Sequence, residues 1–357
     1  MNNQIKYRAG TIPHSKPMLG TEESRAVAEV IESGYIAEGE IVKKFERAFA
    51  EFLGVEYAVS TGSGTSALHL SLLAMGVGLG DEVILPSYVC SALLNAVNYT
   101  GATPVLADIA PDTYNLDAAD LKKRLRKRTR AIIVPHLFGL AADLESILAL
   151  DVPLIEDCAQ AVGATYGQRL VGTIGQAAVF SFYATKVMTT GEGGMVVSNS
   201  RKITDRIRDL KSYDRKENYK LRFNYKMTDI QAALGLVQLR RLEYLIHRRR
   251  AIAQKYSRTF DAYDLKLPPA ENGHIYFRYV LGLNNNSTPW IQALDQMGIV
   301  CDRPVYLPLH RYLNLPGYPA TEEAWRNSIS IPIYPGLTDE EVDRVADGVT
   351  VCRKKFC

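Results

Sequence analysis

Lys186 stands between two apolar runs, AVFSFY at 178–183 and GGMVV at 193–197, in a loop of small and hydroxylated residues. Aliphatic, aromatic and β-branched residues on both sides predict two buried strands. Gly191, Gly193 and Gly194 mark a tight turn before the second. An amine carried just past a buried strand end can be desolvated. Desolvation disfavours the ammonium form and leaves a nucleophile, which is what Schiff-base chemistry requires. The ordinary fate of a lysine on a polar loop is solvent, and alone the stretch reads that way.

A second residue changes the weighing. Val152 to Asp157 (VPLIED) reads as another apolar strand and ends in a carboxylate. An acid at the end of an interior strand needs a partner, because an unpaired buried charge is costly. A protonated pyridine nitrogen is one such partner. Pyridoxal phosphate (PLP) chemistry needs a carboxylate there and a lysine on the opposite side of the ring. Positions 157 and 186 leave room for one connection and one further strand, so neighbouring strand ends could face a single ring. A helix N-cap is the plainer role for Asp157. A third stretch, Gly62-Ser63-Gly64-Thr65-Ser66, follows the predicted strand EYAVST and opens a helix from Ala67 to Met75. A glycine- and hydroxyl-rich turn at a helix N-terminus presents free N–H groups to an anion. No Lys follows in the spacing of a Walker loop, and simple capping by Ser and Thr explains the residues equally well.

The elements that would position these residues alternate. Strands are expected at 56–61, 81–86, 103–109, 131–136, 152–157, 178–183 and 194–198, with helical patterns between them. That alternation predicts an α/β fold with a mostly parallel sheet covered on both faces. Ligands then sit at the carboxyl ends of the strands. Residues 1–20, with Pro13 and Pro17, read as an extended N-terminal arm. Residues 21–249 form the expected large domain, with amphipathic helices from Thr21 to about Gly34 and from Ile41 to Leu53. Ile230 to Phe260 reads as one long helical stretch bridging to a smaller domain of helices and short strands at 250–357.

Composition agrees. The chain has 357 residues, 47% of them hydrophobic and 23% charged, which is ordinary for a globular protein. A net charge of +3 gives no argument for nucleic acid. The basic run KKRLRKRTR at 122–130 fits the solvent face of a helix with Leu121 and Leu125 inward better than a nucleic-acid or membrane patch. Five cysteines (Cys90, Cys158, Cys301, Cys352 and Cys357) show no zinc spacing and read as reduced cytosolic thiols. No apolar stretch is long enough to span a bilayer, and MNNQIKYRAG lacks a signal-peptide core. The expected location is cytoplasmic.

The stretch EDCAQAVGATYGQRLVGTIGQAAVFSFYATKVMTTGEGG resembles the signature of the fold-type-I, PLP-dependent sugar aminotransferases, the DegT/DnrJ/StrS family. The resemblance continues through SGYIAEGEIVKKFERAFAEFLG, TGSGTSAL, GDEVILP, GATPVLADI, NYKMTDIQAALGLVQLRRLE and PLH. It implies a three-layer α/β fold and an amino group moved from glutamate or glutamine to a keto sugar carried on a nucleotide. It makes Lys186 the Schiff-base residue and Asp157 the partner of the ring nitrogen. Gly64, Thr65, Ser66 and Ser181 would hold the cofactor phosphate, Ala159 would let the ring approach, and Gln160 would bond its hydroxyl. Asn224 in FNYKM would reach the phosphate of a neighbouring subunit, implying a homodimer. The family's ring-stacking aromatic falls on Cys90 here, so that face is covered by Cys90 or by Tyr88. His310, in PLH, reads as structural. The family's dehydratases carry histidine where Lys186 stands, which argues against that chemistry. A keto-cyclitol substrate, or PLP binding by a regulatory protein without turnover, are the competing readings; no clustered basic helix-turn-helix supports the regulator.

Overall fold

In the computed structural model, residues 10–356 are described; the first nine residues of the expected arm lie outside them. Eleven strands form in chain order: β1 (Tyr57–Thr61), β2 (Glu82–Pro86), β3 (Thr103–Ala107), β4 (Thr129–Pro135), β5 (Leu154–Asp157), β6 (Thr165–Tyr166), β7 (Arg169–Leu170), β8 (Ala177–Ser181), β9 (Gly194–Ser198), β10 (Tyr279–Gly282) and β11 (Ser328–Ile331). All seven strands expected from the sequence join one sheet, in the order β1-β9-β8-β5-β4-β2-β3. β9 runs antiparallel to both β1 and β8. The pairs β8–β5, β5–β4, β4–β2 and β2–β3 are parallel. The architecture is the three-layer α/β fold that the resemblance implied.

The alternation of side chains along these strands builds two cores. Val59, Val83, Ile133, Ile155, Val179 and Val196 face one helical layer. Ala58, Ala178, Phe180, Met195 and Val197 face another, where Phe45 and Phe49 of helix Glu40–Leu53 are fully buried. A strand buried on both sides must be apolar on both, which is why these runs are nearly continuous in hydrophobic residues. Helix Glu40–Leu53 starts where Asp229 accepts the N–H groups of Gly39, Ile41 and Val42, two of its orphan donors among them.

The long helical stretch expected at 230–260 is two helices, Asp229–Arg240 and Leu242–Phe260. The break falls at Arg241, whose N–H is shared between the Val237 and Gln238 carbonyls. Its guanidinium is held 2.5 Å from Glu23 Oε1, which also accepts from Gln238 at 2.7 Å. A contact with the first helix, invisible to local periodicity, sets the kink. Beyond it, β10 and β11 pair antiparallel inside a separate core that includes Trp290, Tyr256 and Phe260. The basic run at 122–130 is solvent-facing, as expected, with Leu121 fully buried, but only Lys122–Arg124 lie on a helix; the rest falls in a turn and the start of β4, and Leu125 is half-buried. No helix among the described residues is long and apolar enough to cross a membrane.

Candidate active site

Strand direction brings the chemistry to one edge. The sequence leaves open which way the strand before the lysine runs; in the structure β8 is parallel to β5, so the Lys186 loop leaves the sheet at the end where Asp157 sits. The antiparallel β9 begins at that edge, so both ends of the lysine loop are anchored there. Inside the loop Lys186 N–H donates to Tyr183 O at 2.9 Å, and Thr190 N–H and Thr189 Oγ1 both donate to Phe182 O. These bonds fix the path that presents the amine.

Lys186 and Asp157 line one cavity of about 260 Å³, with Ser63, Gly64, Thr65, Cys90, His136, Ala159, Gln160, Ser181, Tyr183 and Glu192 around it. Asp157 is 5% exposed. Its Oδ1 accepts from Ala159 N–H at 3.0 Å, and the side chain makes no other hydrogen bond with the described residues. Burial raises the Asp157 pKa; the Ala159 N–H and the charge of Lys186 oppose that. Lys186 borders the cavity and is half-buried, with Nζ 5.3 Å from the centre of the Phe277 ring. Desolvation lowers its pKa and the neighbouring Arg278 lowers it further, against the pull of Cys90 and Asp157. A buried acid with a free oxygen and a half-buried amine with a weakened hold on its proton share one space.

Gly64 opens helix Gly64–Ala74 on the cavity wall. A Cβ at Gly64 would stand 2.8 Å from Ser181 Cβ, and one at Gly194 would stand 2.4 Å from Ser63 O. Only glycine lets the helix start, the end of β8 and the start of β9 close on each other this tightly. The hydroxyls of Thr65 and Ser181 make no hydrogen-bond donation to the described residues, so both remain available. Ser66 does not line the cavity; its Oγ is 2.8 Å from Ser63 Oγ, and its N–H caps onto the same atom.

The two candidates for the ring face part company. Cys90 lines the cavity and is exposed. Tyr88 is fully buried and does not line it. Its ring packs near Tyr114 and Phe138, and its hydroxyl donates to Ala324 O at 3.3 Å. These contacts turn Tyr88 into the core, where it does not reach a ligand in this cavity. Gln160 lines the cavity while its Oε1 accepts from Phe138 N–H at 2.9 Å, leaving its amide donors free. Asn224 is exposed and lies off this cavity. His310 is buried between Ser87 Oγ (2.7 Å) and Glu322 Oε1 (2.7 Å), a structural setting.

Sequence reasoning passed over His136 and Glu156. His136 lines the cavity and is fully buried. Its Nδ1 accepts from Ala142 N–H at 3.0 Å, so the proton of the neutral ring is on Nε2, which donates to Glu156 at 3.1 Å. Glu156 is fully buried and also accepts from the N–H groups of Gly172, Ile174 and Gly175, each at 2.7 Å. His136 N–H donates to Asp157 O at 3.1 Å. The pair therefore sits beside the acid of the site and is tied to it through the His136 backbone. Its only sequence signal is a charged residue inside the apolar run VPLIED, next to Asp157. Cys158 lies close by, but Glu156 already has four donors and His136 both ring nitrogens engaged.

These residues fit pyridoxal phosphate. The free carboxylate oxygen of Asp157 suits a protonated ring nitrogen, Lys186 an aldehyde carbon, and the helix start with Thr65 and Ser181 a phosphate. Comparison with known proteins points the same way. The sequence profile of the DegT/DnrJ/EryC1/StrS aminotransferase family matches residues 17–350. The chain is 38% identical to GDP-perosamine synthase of Caulobacter vibrioides over 352 residues, 92% of this chain and 95% of that one. It superimposes on PseC of Helicobacter pylori, an aminotransferase involved in the biosynthesis of pseudoaminic acid, with a TM-score of 0.91 at 28% identity, covering 97% of this chain and all of the other. The PLP form of Spr1654 from Streptococcus pneumoniae matches equally well, with a TM-score of 0.91 at 28% identity over 97% of this chain and 99% of that one. With its fold, its paired acid and amine and nearly its whole length in agreement, this chain belongs to the DegT/DnrJ/EryC1/StrS aminotransferase family and is a PLP-dependent aminotransferase.

Proposed function

We propose that this enzyme aminates a nucleotide-linked keto sugar, with glutamate or glutamine as donor, and that Lys186 and Asp157 carry the chemistry. The observation that carries the assignment is their convergence on one cavity from the ends of adjacent parallel strands. A nucleotide-linked substrate is supported by the relative named for GDP-perosamine synthesis.

When bound, the cofactor supplies an electron sink and a carbon that carries the amino group from donor to acceptor. Lys186, with its ammonium disfavoured by desolvation, would hold that carbon, and its Nζ would move the proton of the donor's α-carbon. Asp157 would hold the ring nitrogen protonated, with the Ala159 N–H fixing its carboxylate. The N–H groups at the start of helix Gly64–Ala74, with Thr65 and Ser181, hold the phosphate. Ser63, which lines the cavity, takes the place there that Ser66 does not reach. Gln160 uses its free amide to bond the ring hydroxyl, and Ala159 and Cys90 cover the two ring faces. Asn224, exposed and away from its own chain's cavity, would serve the site of a second copy in a homodimer. A cytoplasmic location accords with the free thiols of Cys90, Cys158, Cys301 and Cys352, the cysteines among the described residues.

The purified protein should be yellow, and borohydride should fix the cofactor to the peptide containing Lys186. Lys186→Ala should release no 2-oxoglutarate from glutamate with any member of a panel of nucleotide-linked keto sugars; turnover at the wild-type rate in that variant would refute the assignment.

A further inference from the structure

Lys186 has a neighbour that does not share its cavity. The Phe277 ring, 6% exposed, lies 5.3 Å from Lys186 Nζ and is not part of the cavity wall, so it meets the amine from the protein side. The backbone that carries this ring is bent against its preference. Tyr276, directly before it, takes a left-handed φ of +50°, which an aromatic residue keeps only where its surroundings hold it. The turn is hooked onto a second one with a left-handed aromatic, Phe138 at φ +59°. Ile275 N–H donates to Gly139 O at 3.0 Å and Arg278 N–H to Phe138 O at 3.4 Å. The Phe138 turn is held from the cavity by Gln160, whose Oε1 accepts its N–H.

The Tyr276 turn is held by Arg249, on helix Leu242–Phe260 and 2% exposed. Its Nη1 is shared among Tyr276 O at 3.4 Å, Phe277 O at 3.1 Å and Ile333 O, in the segment after β11, at 2.8 Å. No carboxylate pairs with this guanidinium among the described residues, and its Nε has no hydrogen-bond partner. Burial and the nearby Arg278 both disfavour its charge. Stability alone does not account for a cation there, since an apolar side chain of similar size would fill the space without that penalty. What only the charged group supplies is donors strong enough to draw carbonyls of two separate segments to one point.

Resting on the reading of Lys186 as the reacting amine, we propose that Arg249 is a positioning residue for it: by pinning the left-handed Tyr276–Phe277 link, Arg249 seats the Phe277 ring against the amine and keeps water from its protein side. Shutting water away from an amine disfavours the ammonium and favours the neutral form. Desolvation is the largest influence on Lys186, against Cys90 and Asp157, which favour the charge, and alongside Arg278, which opposes it. The ring face also attracts a cation, an effect of opposite sign, and desolvation outweighs it because burial dominates the balance at this amine. The amine must be neutral to take a proton, so a loosened ring leaves more of it protonated and idle. Arg249 and Phe277 act through Lys186.

The test measures Lys186 itself, in full-length cofactor-stripped protein, by the pH dependence of its acetylation with acetic anhydride, read by mass analysis of its peptide. In Phe277→Ala and Arg249→Met the midpoint should rise by about one pH unit, a roughly tenfold smaller neutral fraction at a given pH. Arg249→Lys should shift it by about half as much, since an ammonium lacks the reach of the planar fork. In the holoenzyme, loss of the yellow colour on single-turnover mixing with glutamate should slow about tenfold near neutral pH and return to within about threefold of wild type in alkaline solution. An unchanged or lowered midpoint in Phe277→Ala would overturn the shielding role. A shift in Phe277→Ala with none in the Arg249 variants would overturn the part given to Arg249, as would slowing that is equal at every pH. Urea denaturation identifies a variant that does not fold; Arg249→Lys, which keeps a cation in place, then decides for Arg249→Met. The acetylation needs no cofactor, so its outcome stands apart from the aminotransferase reading, which falls instead if wild-type holoenzyme never yields 2-oxoglutarate from glutamate.

Discussion

Replacing Gly64 with alanine probes the closest approach in the site. The added methyl would stand 2.8 Å from Ser181 Cβ, 3.2 Å from its Oγ and 3.4 Å from its Cα. Ordinary contact between such atoms begins near 3.4 Å, so the helix start and the end of β8 must separate by about half an ångström. These are backbone and Cβ atoms of a packed strand, and they have no rotamer by which to yield. Overpacking of this kind costs about 1–3 kcal/mol. The same separation pulls the N–H groups of helix Gly64–Ala74 away from Ser181 across the proposed phosphate position, where a displacement of this order should weaken binding about tenfold or more. The assays are urea denaturation for stability and fluorescence titration of cofactor-stripped protein with PLP for affinity. Adding Ser181→Gly removes the clashing Cβ. The double variant should regain most of the lost stability and little of the affinity, because the Ser181 hydroxyl goes with the clash. Unchanged stability and affinity in Gly64→Ala would refute the reasoning. Full recovery of affinity in the double variant would show that Ser181 holds no phosphate.

Two further outcomes follow from groups buried away from the ligand. Glu156→Gln leaves four donors facing one acceptor oxygen and an amide that is itself a donor; urea denaturation should show a loss of about 3 kcal/mol, and a loss below about 1 kcal/mol would mean that the pair is dispensable. His274, held by burial at a pKa of about 4 against 6.5, stays neutral in the fold where the unfolded chain takes a proton. Its contribution is fully present above pH 6.5 and is lost as pH falls toward the folded value. Melting temperatures of His274→Gln should therefore decline less than wild type between pH 7 and 5; parallel declines would refute the assignment.

Much of this molecule is local in origin and was legible as such. The seven strands of the sheet appear as apolar runs bounded by turn residues, because a strand buried on both faces has no polar side to show. Lys186 and Asp157 are legible for the same reason: each is a charged residue placed where such a run stops, and the order of the motifs supplies the cofactor. Gly64 and Gly194 show in sequence as turn residues, while the contacts that demand glycine there come from other strands.

Only the assembled fold decided the rest. That β9 runs against its neighbours, so that both ends of the lysine loop meet Asp157, depends on pairing between strands with no counterpart in local pattern. Tyr88 and Cys90 lie two residues apart, and packing against Tyr114 and Phe138 settles which of them meets the cavity. The break at Arg241 comes from Glu23, and the partner of Arg278 is His14, each more than two hundred residues away in the chain. Hydrophobic periodicity is a property of neighbours along the backbone, so sequence determined the elements and the residues carried at their ends. Which charge finds which partner is settled by packing among segments remote in sequence, and that is where the site obtains its amine and its acid.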